Sequence, residues 1–129
     1  MVGIVIVSHS WKIAEGIKDL AQQVCAGSGN VIAAGGMEDG EIGTDAFRIA
    51  KAIKEADQGD GVAILADLGS AIMSVEAAME FLEDETVGAT LADAPIVEGA
   101  IAAAVEADSG SSLLEVVQAA EETWGMRKS

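Results

Sequence analysis

Short apolar runs that alternate with segments of helical period constrain this chain more than any other feature. Val2–Val7 is continuously apolar, with no position reserved for water, which is the pattern of a strand buried on both faces. From Ile13 the period changes. Ile13, Ile17, Leu20, Ala21 and Val24 recur every three to four residues, opposite Lys12, Glu15, Lys18, Asp19 and Gln22, and predict an amphipathic helix that ends before a turn at Gly27-Ser28-Gly29. The alternation then repeats. Asn30–Ala34 reads as a strand, Gly35–Gly43 as a long loop, and Thr44–Ala56 as a helix capped by Thr44, with Phe47, Ala50 and Ile53 inward. Val62–Ala66 is a third buried strand. Asp67-Leu68-Gly69-Ser70 opens a third helix with Ile72, Val75, Met79 and Leu82 on one face, and Thr86–Leu91 is a weaker fourth strand. Two more helices are expected, one from near Pro95 and one from the capping-box pattern Ser112-x-x-Glu115, divided at Ser109-Gly110.

Strands that alternate with helices in this way predict right-handed crossovers and a parallel sheet covered by helices on both faces, in one α/β domain over residues 1–129. In such sheets ligands sit at the carboxyl ends of the strands, where strand order reverses. The loops after the first three strands are therefore the places to look for function.

Composition removes several function classes. Seven Lys+Arg stand against 22 Asp+Glu, for a net charge of −15, and the two arginines, Arg48 and Arg127, make no basic stripe. A nucleic-acid partner is excluded, because that affinity is built on Lys and Arg contacts to phosphate. The N-terminal apolar run breaks at Ser8, too short for a membrane span and without the basic flank of a signal peptide. One cysteine and one histidine leave no internal disulfide and no metal cluster, so a reducing, cytoplasmic setting is expected, and no cofactor is called for. Cys25 reads as a small buried hydrophobe. The 24 alanines predict helices packed closely on the sheet.

His9 stands just past the first strand, and Asp67 just past the third. Each has an ordinary explanation: a histidine between two serines can be a hydrogen-bonded turn residue, and an aspartate before a helix can be a cap. If the two strands are neighbours, however, both side chains meet in one crevice. A carboxylate accepting the Nδ1 proton holds Nε2 unprotonated as a nucleophile and stabilises the cation formed on attack. The chain lacks a serine elbow, a metal cluster and a Walker loop, whereas phosphoryl acceptance needs only a neutral imidazole and donors for the phosphoryl oxygens. Helix N-termini supply such donors, so Ser10 at the first helix and Gly69 and Ser70 at the third are the candidate phosphoryl-binding residues, although both serines also suit plain helix initiation. The loop from Gly35 to Thr44 is long enough to suggest function, and its Glu38, Asp39 and Glu41 are expected to face solvent or a partner, since they would repel a phosphate.

With these residues placed, the segments GIVIVSHSWKIAEGI, AAGGMEDGEIGTD and GVAILADLGSAIMSVEAAMEFL resemble the mannose-type IIA domains of the bacterial sugar phosphotransferase system. The Ile-Gly-Thr ending of the loop and the Asp-Leu-Gly-Ser-Ala run look most like the branch that serves the phosphoenolpyruvate-dependent dihydroxyacetone kinase. The resemblance implies an open four-stranded sheet in the order 2-1-3-4. It also implies that His9 accepts a phosphoryl group from the phosphocarrier protein HPr, with Asp67 orienting it and Gly69 and Ser70 lining the site. The recipient in that family is ADP held on a second kinase subunit, while a third binds dihydroxyacetone, and the carrier is a homodimer without membrane insertion. Some members continue into HPr-like and enzyme-I-like domains; a chain stopping at Ser129 is expected to draw its phosphoryl group from a separate protein. Two rivals stay open: the IIA domain of a mannose-family sugar transporter, and a non-catalytic binding module on a flavodoxin-like scaffold.

Overall fold

The strands β1 (Gly3–Ser8), β2 (Val31–Gly35), β3 (Val62–Ala66) and β4 (Ala89–Leu91) form a parallel sheet in the order β2-β1-β3-β4. This is a computed structural model that describes residues 1–25 and 30–129, so the turn expected at Gly27-Ser28-Gly29 lies outside the described residues. The connecting helices are α1 (Trp11–Val24), α2 (Ala46–Ala56) and α3 (Gly69–Phe81); α4 (Ile96–Asp108), α5 (Leu113–Glu122) and a 3₁₀ turn at Thr123–Gly125 complete the chain. The α/β class, the parallel sheet and its 2-1-3-4 order are as expected. Among the described residues, no helix is long and apolar enough to cross a membrane.

Alternate residues of the central strands feed two cores. Ile4 and Ile6 of β1 pack with Leu65 of β3 against α1, α4 and α5, whereas Val5 and Val7 pack with Ile64 against α2 and α3. Every residue of β1 is buried, which explains its unbroken apolar run. Full burial of each large aliphatic side chain contributes about 1.5–3 kcal/mol. The C-terminal helices cover the sheet mainly through Ala100, Ala103, Ala104, Ala107, Val116 and Ala120. As the pattern at Ser112 foretold, α5 opens with a full capping box, in which the Ser112 hydroxyl and the Glu115 carboxylate each accept from the other's backbone N–H.

The inward faces of the helices differ in part from those expected, although Ile17, Ala21, Ala50, Ile53, Val75 and Leu82 are buried as predicted. In α1 the buried residues are Ala14, Ile17 and Ala21, while Ile13, Leu20 and Val24 are about half exposed. Close approach is the reason: a Cβ added at Gly35 would lie 2.6 Å from the Trp11 Cα and 2.7 Å from the Ala14 Cβ. Only small residues fit where α1 crosses the end of β2. In α3 and its C-cap the expected Val75 and Leu82 are buried and Met79 packs on the same core, joined by Ala71 and Ala78, whereas Ile72 is 39% exposed.

Phe47 is also a correction, since it is 73% exposed and stacks on Phe81 with centroids 4.6 Å apart. The inward face of α2 is set by Ile49, Ala52, Ile53 and Ala56, and a residue two positions before Ile49 is turned about 200° away from it. The cap of α2 is Asp45 rather than Thr44. The Asp45 carboxylate accepts from the N–H groups of Phe47 and Arg48, where a negative charge also suits the helix dipole, and the Thr44 hydroxyl is engaged with Ser74 instead. Cys25 is buried as expected, its thiol donating to the Ala104 carbonyl. Burial and the charge of Asp108 push that thiol's pKa up.

Candidate active site

The strand order reverses between β1 and β3, and the residues that leave these two strands meet there. Val7 pairs with Ala66, so Ser8 lies level with Asp67, and His9 follows at the same edge. The Asp67 N–H donates to the Val7 carbonyl, which extends the ladder by one step and fixes where the carboxylate starts.

The Asp67 carboxylate gathers four donors. Its Oδ1 accepts from His9 Nδ1 at 3.0 Å and from the Leu68 N–H at 2.8 Å. Its Oδ2 accepts from the Ser8 hydroxyl at 2.9 Å and from the His9 N–H at 3.0 Å. The bond to Leu68 reaches only the residue before α3, so Asp67 does not cap the helix as the capping explanation would have it, and its carboxylate serves the histidine. Burial pushes the Asp67 carboxyl up, but the His9 N–H, the His9 ring, the Ser8 hydroxyl and the Leu68 N–H outweigh it and hold the group below its ordinary value. A carboxylate at Nδ1 selects the tautomer that carries its proton there. Nε2 is then left with a lone pair, and it faces the Ser70 hydroxyl at 2.7 Å.

Ser70 is the second residue of α3. The N-cap of that helix is Leu68, whose side chain caps nothing, so the positive end of the α3 dipole is directed at the histidine without a side-chain acceptor. Gly69, the first residue, has open space around its α-carbon. The site thus brings together His9, Asp67, Gly69 and Ser70. Ser10 is placed differently: its hydroxyl caps α1 by accepting from the Ile13 N–H, and its own N–H donates to the Ser8 hydroxyl.

The glycine loop grips the turn that carries His9. Gly36 donates its N–H to the Ser8 carbonyl and Gly43 donates to the His9 carbonyl at 2.8 Å. Gly36 has φ +69°, a conformation that side chains other than glycine adopt at a cost. Glu38, Asp39 and Glu41 point outward and are exposed, in keeping with their charge. Two features lie beyond the expected residues. Ser8 is fully buried beneath the pair, and a cleft of about 340 Å³ beside Asp67 is lined by Leu68, Ile72, Asp93, Pro95 and Trp124. A serine at the polar end of an apolar strand is the only signal that pointed to Ser8. Trp124 arrives from the end of the chain, held by its ring N–H on the Asp93 carbonyl, and nothing local announced it. Among the described residues, no three His, Cys, Asp or Glu are grouped to hold a metal.

An imidazole oriented by a carboxylate, facing a hydroxyl and a helix N-terminus, is equipped to take up and release an electrophilic group at Nε2. A family model described as the PTS system fructose IIA component, EIIA-man, matches residues 3–118. The chain is 42% identical over 107 residues to a Listeria innocua protein named PEP-dependent dihydroxyacetone kinase 2, phosphoryl donor subunit DhaM, covering 82% of this chain and 86% of that one. It is 41% identical over 121 residues to the Escherichia coli PEP-dependent dihydroxyacetone kinase, phosphoryl donor subunit DhaM; that match covers 91% of this chain and 26% of the relative. A Lactococcus lactis protein, PTS-dependent dihydroxyacetone kinase, phosphotransferase subunit DhaM, is 40% identical over 110 residues and 85% of each chain. The crystal structure of an unknown-function protein, EF1359, superposes with a TM-score of 0.80 at 36% identity over 95% of both chains.

Proposed function

The chain belongs to the EIIA-man family of phosphotransferase-system IIA components, and from that premise we propose that residues 1–129 form one phosphocarrier domain that works through His9. In this reading the Nε2 lone pair attacks the phosphorus of a phosphohistidine on HPr. A new N–P bond forms at His9 as the donor's N–P bond breaks, and the donor nitrogen keeps the electron pair. Asp67 stabilises the charge that gathers on the ring, through the hydrogen bond it accepts from Nδ1–H, the proton staying on the ring. The phosphoryl group takes the place that the Ser70 hydroxyl holds now, and Ser70 turns to donate to a phosphoryl oxygen. The N-terminal N–H groups of α3 at Gly69 and Ser70 receive the remaining negative charge. Ser10 contributes at one remove, by capping the α1 end beside the histidine.

The recipient is ADP on the nucleotide-binding subunit of a dihydroxyacetone kinase. A terminal oxygen of ADP attacks phosphorus, the N–P bond breaks, and His9 regains its lone pair. The ATP so formed serves the subunit that binds dihydroxyacetone. The relatives, named as subunits of dihydroxyacetone kinases, support a kinase recipient over the transporter alternative. Trp11, Ile42, Leu68 and Met73 are exposed near the site and offer apolar contact to both protein partners. A cytoplasmic homodimer is part of this reading, the setting supported by the single cysteine and the pairing by the family resemblance.

The observation that carries the proposal is the single His of the chain, held by Asp67 at Nδ1 and open to a helix N-terminus at Nε2. Incubation with phosphoenolpyruvate, enzyme I and HPr is expected to add one acid-labile phosphoryl group by intact mass, and His9→Ala is expected to add none. Gain of phosphate by the alanine variant would sink the reading. Onward transfer to ADP-loaded kinase subunits, and not to a transporter IIB domain, separates the two recipients.

A further inference from the structure

We propose that Ser8 is a positioning residue for the transfer at His9, acting through Asp67; this rests on the carrier reading above for its effect on rate. The Ser8 side chain is fully buried, and its hydroxyl both donates one hydrogen bond and accepts one. Its single O–H donates to Asp67 Oδ2, because a carboxylate can only accept. Its oxygen accepts the Ser10 N–H at 3.1 Å, at the start of α1. The hydroxyl is therefore a directed link from the first helix to the carboxylate.

That link helps to set how the carboxylate is turned. Each oxygen has one backbone donor, the His9 N–H at Oδ2 and the Leu68 N–H at Oδ1, and one side-chain partner, the Ser8 hydroxyl at Oδ2 and the His9 ring at Oδ1. The Ser8 O–H is thus the side-chain counterpart of the His9 ring on the opposite oxygen. Without it Oδ2 keeps only the His9 N–H, the carboxylate is held less firmly against Nδ1, and the preference of the imidazole for the Nδ1–H tautomer weakens. Partners that orient a functional imidazole or its carboxylate commonly govern activity without touching substrate.

The experiment uses the full chain with Ser8→Ala, Ser8→Thr and Ser8→Cys. Saturation kinetics with phosphorylated HPr are expected to give about a 10- to 100-fold lower kcat for Ser8→Ala, with KM unchanged, because a buried side chain touches no partner. Since His9 is the only histidine, the ¹⁵N ring signals of the unphosphorylated protein report its tautomer directly. The protein as it stands is expected to hold the Nδ1–H form, and Ser8→Ala to give a mixture. Ser8→Thr, which keeps the hydroxyl, is expected to restore both readouts. If the threonine variant or the alanine variant fails to fold by circular dichroism, Ser8→Cys decides, with its weak S–H donor expected to fall between serine and alanine. An unchanged tautomer in Ser8→Ala, or a loss that no donor-bearing variant restores, overturns the proposal. Should the parent protein take up no phosphoryl group, the carrier reading fails by itself, and the ¹⁵N tautomer still decides the role of Ser8.

Discussion

The hydroxyl of Ser70 lies 2.7 Å from Nε2 of His9, on the side of the ring away from Asp67. One nitrogen is thus tied to a carboxylate while the other is covered by a group that can be displaced. A hydroxyl in that position keeps the lone pair solvated in the resting site, and it remains beside an incoming phosphoryl group as a donor. The two helices that start at this crevice differ in the same sense: α1 is closed by Ser10, whereas α3 has no side-chain cap.

Asp67→Asn preserves size but replaces an acceptor of four hydrogen bonds by an amide that can offer its N–H₂ to Nδ1. The expected result is the opposite tautomer, with the proton on Nε2, and a fall in phosphoryl transfer of about 10²-fold or more. Stopped-flow transfer from phosphorylated HPr measures it. Unchanged kinetics would remove Asp67 from the mechanism.

The same carboxyl makes stability depend on pH in a definite direction. Its folded pKa is below the ordinary value, while the unfolded chain titrates near about 3.9. Its contribution is fully present above about pH 4 and is lost as pH falls through the lowered folded pKa. The difference in urea midpoint between the parent protein and Asp67→Asn is therefore expected to be largest near neutrality and to shrink in acid. A difference that stays constant with pH would contradict the assignment.

Two glycines at the site are expected to respond in opposite ways to alanine. At Gly35 a Cβ would meet the Trp11 Cα at 2.6 Å and the Ser10 carbonyl oxygen at 2.7 Å, backbone atoms that cannot step aside. Gly35→Ala is expected to lose about 1–3 kcal/mol by denaturant unfolding. At Gly69 nothing lies within 4 Å, so Gly69→Ala leaves the midpoint nearly unchanged. Its transfer rate is expected to fall several-fold, because the methyl group enters the space assigned to the phosphoryl oxygens. Full activity in Gly69→Ala would place the phosphoryl group elsewhere.

Ser112→Ala removes the hydroxyl half of the α5 capping box and is expected to cost about 1 kcal/mol of stability. Transfer at His9 is expected to be unchanged, since the start of α5 packs by Gly61, at the end of β3 opposite to Asp67. A loss of transfer without a loss of stability would show that the C-terminal helices serve the reaction directly.

Much of the architecture was legible in the chain. The apolar runs at Val2–Val7 and Val62–Ala66 mark strands that need two covered faces, and that need alone forces helices onto both sides. The positions of His9 and Asp67, each just past such a run, mark them as candidates. Helix faces were less legible. Hydropathy ranks Ile13 and Phe47 above Ala14 and Ala52, but the spacing between α1 and β2 at Gly35, and the angular setting of α2, are properties of packed elements. The cap of α2 lies one residue beyond Thr44 because Thr44 and Asp45 are both capable caps, and in the fold the Thr44 hydroxyl is bonded to Ser74 while the Asp45 carboxylate meets the helix N–H groups.

By itself, then, the sequence determined the kind of sheet, the acidic surface and the existence of one histidine at a strand end. Those properties follow from periodicity and charge, which are local or additive. The pairing of His9 with Asp67, the turn of the carboxylate by Ser8 and the approach of Ser70 to Nε2 were decided only by tertiary structure. They depend on β1 and β3 being neighbours in a register that sets Ser8 beside Asp67, and register arises from side chains and backbone groups distant in the chain satisfying one another at once.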